Sequence, residues 1–314
     1  MSPDSFGKTL VIADPLARQG EGESAALFAT RFFSSFGAST SSCEIRFTET
    51  RDDARIMARS AHGYRTVIAL GGDGVVHEVV NGMMAIPDTE RPRLGIVPLG
   101  AGSDFARTLH MSRNDPRRAL TELAQGSERT IDLGRVNNEY YMQTLSFGLD
   151  AAIAHDAVDR WADGSRRPND ILFVTSGFKL LWTNLRGWQY DAAIDGERLV
   201  GSGIAFAVQN GPTYGGGFQI CPDAVPNDGK LNLFLTLRKP TLPHSLLLFG
   251  LIRFGWHTRS HVVGAKRVNH LEVSFSGPDQ PPCQIDGKRI VAERYVVDVV
   301  PACLRVIVSK NCPW

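Results

Sequence analysis

Residues 66–84, TVIALGGDGVVHEVVNGMM, read as a buried strand, a glycine turn and a helix. The run TVIAL is typical of a strand inside a parallel sheet, and Gly71, Gly72 and Gly74 allow a ligand to approach the backbone closely. The valines and methionines that follow recur at helical spacing. A helix N-terminus attracts an anion, whereas Asp73, inside the turn, suits a metal ion or a ribose hydroxyl. The stretch therefore predicts a nucleotide site with a divalent cation.

A second glycine turn follows in residues 94–108, LGIVPLGAGSDFART, where a buried strand again precedes the turn and Asp104 begins the next helix. Parallel strands in an open sheet deliver their following loops to the same edge. We therefore expect Asp73 and Asp104 to converge on one nucleotide. A single Gly-Gly-Asp-Gly turn is weak evidence, but two such turns on one sheet favour a functional interpretation.

The order of elements predicts two domains with different architectures. Residues 1–129 alternate strand and helix signals, which predicts a layered α/β nucleotide domain with a mainly parallel sheet. From residue 130 the chain becomes β-rich with Gly, Pro, Asn and Asp turns, which predicts an antiparallel β-sandwich over residues 130–314, with the last residues returning to the first domain. Helices are predicted at about 23–36, 52–62, 103–109, 150–163, 171–185 and 242–257.

Composition limits the function classes. The 314 residues are 43% hydrophobic, enough for two conventional cores, and the formal charge of +1 provides no overall field for nucleic acid. The five cysteines are scattered, with no Cys-x-x-Cys pair, which favours a reducing compartment. No segment reaches the roughly 20 apolar residues of a membrane span. We expect a cytoplasmic protein.

Taken together, these motifs resemble the diacylglycerol kinase catalytic-domain family, which includes bacterial lipid kinases and sphingosine and ceramide kinases. GGDGVVHEVVNGM is similar to the family signature GGDGT-x-NE-x-x-NG, and LGIVPLGAGSDFAR to a second signature ending in PLGTGNDFAR. Residues 131–134 (IDLG), 209–233 (QNGPTYGGGFQICPDAVPNDGKLNL) and 284–288 (QIDGK) extend the resemblance over nearly the whole chain. It implies an N-terminal ATP domain, a C-terminal β-sandwich, and a cleft between them where the γ-phosphoryl group of ATP passes to a lipid hydroxyl.

The resemblance also implies roles for individual residues. Asp73, Asp104 and Asp132 would form the Mg²⁺ and phosphate network, a chemistry that relies on positioning and charge neutralisation. Asp228 would form a separate magnesium site with backbone carbonyls near Val225 and Lys230, since hard cations prefer oxygen ligands. The nucleotide site would comprise Asp14, Thr48, Gly71, Gly72, Asp73, Gly74, His77, Glu78, Gly100, Ala101, Gly102 and Ser103.

The chain departs from the family pattern most sharply at Lys288, where the family carries a glutamate that resembles a general base for the lipid hydroxyl. An ammonium next to ATP phosphates binds phosphate instead of accepting a proton. Three explanations stay open: Asp286 or Asp132 assists the hydroxyl, the loose transition state needs little base, or the protein is weakly active or inactive. Smaller departures are Asp14 and Arg18 in the Asn-Pro-x-x-Gly turn, and Val75, His77, Ala101 and Ser103 in the two signatures.

Three functions follow from these observations. The first is an ATP- and Mg²⁺-dependent lipid kinase acting on a diacylglycerol-like or other long-chain alcohol. The second is a soluble-substrate kinase of the NAD kinase type, which shares the Gly-Gly-Asp-Gly turn. The third is a nucleotide-binding regulator without catalysis, suggested by Lys288. A homodimer is one candidate assembly. A peripheral contact with the inner membrane face is another expectation, and the apolar segment 244–257 is the part of the chain that would make it.

Overall fold

The computed structural model describes residues 6–34, 43–50, 52–163, 169–183, 185–277 and 279–314. The chain separates into two compact units. Unit 1 comprises Met1–Ile131 and Ala302–Trp314, and unit 2 comprises Asp132–Pro301. None of the helices in the described ranges combines the length and apolar character needed to cross a membrane.

Unit 1 is an α/β layer around a parallel sheet, in which the strand order is β2-β1-β3-β4. Every residue of β1, β3 and β4 is buried, as the apolar runs predict. The elements of this unit are β1 (Thr9–Ala13), α1 (Ala17–Ser34), β2 (Cys43–Phe47), α2 (Asp53–Arg59), β3 (Thr66–Gly71), α3 (Asp73–Met83), β4 (Arg93–Pro98), α4 (Asp104–Thr108), α5 (Pro116–Gln125) and the start of β5 (Ser127–Val136).

Unit 2 contains two antiparallel sheets with a shared core. Strands β16, β13, β8 and β9 form one sheet, and β12, β11, β10, β7, β14 and β15 form the other. Aromatic and aliphatic side chains from both sheets fill the core between them, as in a β-sandwich. Its elements are the end of β5, β6 (Glu139–Tyr141), β7 (Thr144–Gly148), α6 (Leu149–Ala162), α7 (Asn169–Thr183), β8 (Trp188–Ile194), β9 (Glu197–Gly203), β10 (Ala205–Gln209), β11 (Leu231–Thr236), α8 (Leu242–Ile252), β12 (Val263–Val268), β13 (His270–Ser276), β14 (Cys283–Ile285), β15 (Lys288–Arg289) and the first part of β16 (Arg294–Val308), whose last residues belong to unit 1.

The predicted fold class is confirmed, with three differences in the helices. Helix α1 begins earlier than predicted, at Ala17, and its first turn contains a left-handed break at residues 18–20. Helix α8 ends at Ile252, not at residue 257, because Gly255 adopts a φ of 73° and a short 3-10 turn, Trp256–Arg259, follows. Helix α5 was not predicted, although Asp115 caps it and proline occupies its first turn. Residues 35, 36 and 184 of the predicted helices lie outside the described residues.

Candidate active site

The two glycine turns of unit 1 meet through Asp73. Strand β3 ends at Gly71, Gly72 is the N-cap of α3, and Asp73 is the first residue of that helix. The Asp73 carboxylate accepts a hydrogen bond from the backbone N–H of Ser103 at 2.7 Å. The structure thus brings together two turns that lie 30 positions apart in sequence.

Backbone contact between the turns explains one of the glycines. A Cβ atom on Gly100 would lie 2.9 Å from the Cα of Gly72, so no side chain fits there without moving the backbone. The N–H of Leu99 also donates to the carbonyl of Gly71 at 2.8 Å. A glycine is therefore required at position 100 for the two turns to approach each other.

The second turn holds its conformation with a residue that sequence reasoning missed. Asn114 accepts from the N–H of Gly100 at 3.0 Å and donates to its carbonyl at 3.1 Å. Ser103 adopts the left-handed region at φ 50°, where asparagine, the family residue, is more common than serine. Asp104 then begins α4 and is buried, with its carboxylate 3.5 Å from the guanidinium of Arg107. Ala101 is half-buried, and Gly102 is buried.

Asp14 and Thr48 lie at the ends of the neighbouring strands. The Asp14 carboxylate accepts from the N–H of Leu16 at 2.9 Å, and a Cβ on Gly71 would lie 3.4 Å from the Cβ of Asp14. Thr48 donates its N–H to the carbonyl of Ala13 at 2.9 Å. Asp14 therefore lies beside the first glycine turn.

His77 and Glu78 lie deeper in α3 and are buried. The Glu78 carboxylate contacts the Nε of Arg55 in α2 at 2.6 Å, and His77 lies 3.4 Å from the amide of Asn81. The Glu78–Arg55 pair joins α3 to α2, whereas the His77–Asn81 contact lies within α3. Both residues thus belong to the buried body of the helix and not to the turn itself.

Gly74 differs from the other glycines of the turn because a Cβ built there meets no atom within 4 Å. Its φ is not positive, so neither packing nor backbone conformation demands glycine. Alanine in a helix is more stable than glycine by about 0.5–1 kcal/mol. If a ligand occupies the open space, a methyl group would obstruct it.

We expect Gly74→Ala to raise the free energy of unfolding by about 0.5–1 kcal/mol and to weaken nucleotide binding about tenfold. Urea unfolding and calorimetric titration with ATP and Mg²⁺ measure the two quantities. Gly250→Ala, at another helical glycine with open space, is the control and should leave nucleotide binding unchanged. Unaltered ATP affinity in Gly74→Ala would place the nucleotide elsewhere.

Asp132 and Asp228 lie together in unit 2. The Asp132 carboxylate accepts from the N–H of Gly229 at 2.7 Å, and its own N–H donates to the carbonyl of Pro226 at 2.6 Å. Asp228 accepts from the N–H of Lys230 at 3.0 Å. Asp132 therefore braces the loop that carries Asp228, and both belong to a different unit from Asp73 and Asp104.

The charge of Asp228 is balanced by an arginine that the sequence analysis did not consider. The guanidinium of Arg267 lies 2.6 Å from the second carboxylate oxygen. Among the described residues, no group of three or more His, Cys, Asp or Glu side chains gathers as a metal cluster. With a cation already at Asp228, this donor set does not fit Mg²⁺ well, and the metal site at Asp228, Val225 and Lys230 stays a prediction. Asp104 also has a cation nearby, because the Arg107 guanidinium lies 3.5 Å from its carboxylate, so a hard cation at Asp73 and Asp104 stays a prediction as well.

The β14–β15 hairpin places Asp286 and Lys288 in different environments. The Asp286 carboxylate accepts three backbone N–H groups, from Met142 at 2.8 Å, Gln143 at 3.1 Å and Thr144 at 3.0 Å. This bonding joins the hairpin to the start of β7 and favours a structural role for Asp286.

Lys288 contacts a carboxylate that the sequence reasoning missed. Its ammonium nitrogen lies 3.3 Å from a carboxylate oxygen of Glu139, and both side chains are partly buried. Glu139 belongs to β6, separated from Lys288 by 149 positions in the chain. A carboxylate thus lies beside Lys288, although position 288 itself is cationic.

An apolar cavity of about 580 Å³, including its open mouth, lies in unit 2 among α6, α7, α8 and the adjoining strands. Phe173, Leu181 and Phe249 are among its lining residues. Asp150 and His257 supply its charged or titratable groups. Sequence reasoning missed both, because neither belongs to a recognisable motif.

Burial controls the protonation of these two residues. It raises the pKa of Asp150 to about 7, against a smaller opposing effect of a hydrogen bond with Ser146. One Asp150 oxygen is buried without a hydrogen-bond partner among the described residues. Burial lowers the pKa of His257 to about 4, while its Nε2 lies 3.0 Å from the carbonyl of Ile220 and its Nδ1 is buried without a partner in the described chain. The cavity therefore offers two unused polar atoms in apolar surroundings.

Comparisons with known proteins cover both units. Residues 8–136 match the diacylglycerol kinase catalytic domain, and residues 143–308 match the YegS C-terminal NAD kinase beta sandwich-like domain. A probable lipid kinase YegS-like of Pectobacterium atrosepticum is 29% identical over 249 residues, which cover 78% of this chain and 79% of that protein. A diacylglycerol kinase of Bacillus subtilis is 28% identical over 243 residues, 77% of each chain.

The fold is shared with a solved structure. A crystal structure of a diacylglycerol kinase from Bacillus anthracis has a TM-score of 0.79 at 19% identity, covering 97% of this chain and 98% of that one. The family expected from the sequence is thereby confirmed, and the chain belongs to the diacylglycerol kinase catalytic-domain family, with a YegS-type C-terminal domain.

Proposed function

We propose that the protein is an ATP- and Mg²⁺-dependent lipid kinase that phosphorylates the hydroxyl of a diacylglycerol-like or other long-chain alcohol. The observation that carries the choice of acceptor is the apolar cavity of unit 2. A cavity lined mainly by Phe, Leu and Ile, with only a few polar atoms, suits a hydrocarbon chain and not a soluble dinucleotide.

The nucleotide elements of unit 1 support phosphoryl transfer. The first turn of α3 and the Gly100–Ser103 turn would receive the phosphates, and Asp73 and Asp104 would hold the metal ion. Mg²⁺, when bound, neutralises charge on the phosphate oxygens. The protein residues position the nucleotide, which is the dominant contribution in this class of reaction.

Glu139 is our candidate for the general base, a role that the cationic Lys288 cannot fill. In the reaction, the lipid hydroxyl oxygen bonds to the γ-phosphorus, the bond from that phosphorus to the ADP oxygen breaks, and the hydroxyl proton passes to the Glu139 carboxylate. Lys288, 3.3 Å away, would orient the carboxylate. This assignment replaces Asp286, whose oxygens accept three amide hydrogen bonds.

We expect Glu139→Gln to lower kcat about a hundredfold with the KM for ATP unchanged, as for loss of a general base. The double variant Glu139→Lys/Lys288→Glu keeps the ion pair and returns a carboxylate to position 288. Its kcat should therefore exceed the kcat of Glu139→Lys alone and that of Lys288→Glu alone. Initial rates at varied ATP and lipid concentration provide both constants. Wild-type kcat in Glu139→Gln would remove Glu139 from the mechanism.

The proposed function is tested by transfer of labelled phosphate from ATP, with Mg²⁺, to long-chain diacylglycerol, monoacylglycerol and sphingosine in mixed micelles. NAD and glycerol are the soluble controls. Labelled lipid without labelled NAD supports the proposal. Labelled NAD alone would show a soluble-substrate kinase, and ATP binding without any product would show a nucleotide-binding regulator.

A further inference from the structure

Helix α8 is apolar on every side. Its residues Leu248, Phe249 and Ile252 line the cavity of unit 2. On another side of the same helix Leu247 is exposed, and Phe254 and Trp256, just beyond its end, are exposed as well. A helix that is apolar all round is normally buried on all sides or lies in a membrane.

Helix α7 continues this exposed surface. Phe178 and Trp182 are four positions apart, so they lie on one face of α7, and both are exposed. The Phe178 ring meets the Phe249 ring of α8 with a centroid distance of 5.8 Å, which joins the two helices. We call the exposed set the α7–α8 face; its large side chains, 53% to 73% exposed, are Phe178, Trp182, Leu247, Phe254 and Trp256.

Basic residues are concentrated in the part of the chain that carries α8. Residues 229–271, which include α8, contain seven Lys and Arg residues and no Asp or Glu. Arg253 and Arg259 are exposed on either side of Trp256. Basic residues near a bilayer surface strengthen binding when the lipids are anionic.

We propose that the α7–α8 face docks on an anionic phospholipid bilayer. Exposed Trp and Phe with flanking Arg residues match the interfacial and headgroup layers. The helices that carry the face also line the cavity, so docking would bring the proposed lipid site to the source of its substrate. A second copy of the chain is a poorer occupant, because a two-fold contact would set the basic residues of one face against those of the other.

The test is co-sedimentation with vesicles of phosphatidylcholine alone and of phosphatidylcholine with phosphatidylglycerol. We expect the wild type to bind the anionic vesicles, and Trp182→Glu/Phe254→Glu to bind them at least tenfold more weakly. Leu16→Glu and Val200→Glu replace apolar residues exposed elsewhere and should bind like the wild type. Circular dichroism melting establishes that each variant is folded.

Equal binding by the wild type and by folded Trp182→Glu/Phe254→Glu would overturn the proposal, as would a wild type that does not bind. A wild-type dimer that becomes monomeric in this variant without a change in vesicle binding would assign the face to a second copy. The docking proposal rests on the proposed function only for its biological purpose, which is access to the lipid substrate. Because vesicle binding needs no turnover, an inactive protein that binds vesicles refutes the function and not the docking face.

Discussion

Replacement of Asp73 by asparagine is expected to lower phosphate transfer at least about a hundredfold, the largest loss among single substitutions in unit 1. Asparagine has nearly the same shape and keeps an oxygen that accepts from the N–H of Ser103, so the contact between the two glycine turns survives. The change removes only the negative charge. We propose that this carboxylate holds the cation at the ATP phosphates. Its loss should therefore raise the Mg²⁺ concentration needed for half-maximal activity and lower kcat.

Three measurements make the result interpretable. Thermal unfolding should show a shift of no more than a few degrees for Asp73→Asn, since one hydrogen bond of about 1 kcal/mol is retained. Asp88→Asn, at a carboxylate that is 80% exposed in the same unit, should keep wild-type activity. Rates measured over a range of Mg²⁺ concentrations then separate metal binding from chemistry. Full turnover by Asp73→Asn would exclude Asp73 from the site.

The parts of the site predicted from sequence are those encoded by local patterns. Strand β3, its glycine turn and α3 are contiguous, so hydrophobic spacing and glycine identity specify them together. The meeting of Asp73 with the Ser103 turn also follows from sequence, because parallel neighbouring strands send their loops to one edge. This prediction follows from sheet topology and does not require the family resemblance.

The contacts that sequence did not reveal join residues far apart in the chain. Lys288 and Glu139 are 149 positions apart, and Asp286 bonds to an amide 144 positions away. Arg267, in β12, balances Asp228 in the loop before β11. Hydrophobic periodicity and short motifs do not predict such pairs, because these contacts depend on how distant segments of the chain pack together in the fold. Helix α5 was different, because the Asp115 cap was a local signal that went unused.

The environment of Asp150 in the cavity arises from packing and not from a sequence motif. Asp150 lies in the first turn of α6, in a sequence that is typical of an ordinary helix. Only after folding does its carboxyl group lie in a cavity lined mainly by apolar side chains from three helices and three strands, where the charged form loses its hydration. A buried carboxyl group of this kind is a common feature of functional sites, because it combines a polar contact with apolar surroundings.

Asp150→Asn is expected to remove a large pH dependence of stability. The folded pKa of about 7 is raised from 3.8, so between these values the folded protein keeps a proton that the unfolded chain has released. The contribution of Asp150 to stability is therefore full below pH 3.8 and is lost as pH rises to 7, a total of about 4 kcal/mol. His257, whose pKa is lowered, acts in the opposite direction over an overlapping range.

The difference between wild type and Asp150→Asn isolates the aspartate, because the other titrating groups contribute to both proteins. Urea unfolding at several pH values from 5 to 8 should show the variant gaining stability relative to wild type as pH rises, by roughly 1.4 kcal/mol per pH unit until about pH 7. Asp191→Asn, at an exposed carboxylate in the same unit, should not reproduce this slope. A constant difference across the range would mean that Asp150 is ionised in the folded protein, and hence that the cavity holds a charge and is a poor site for a hydrocarbon chain.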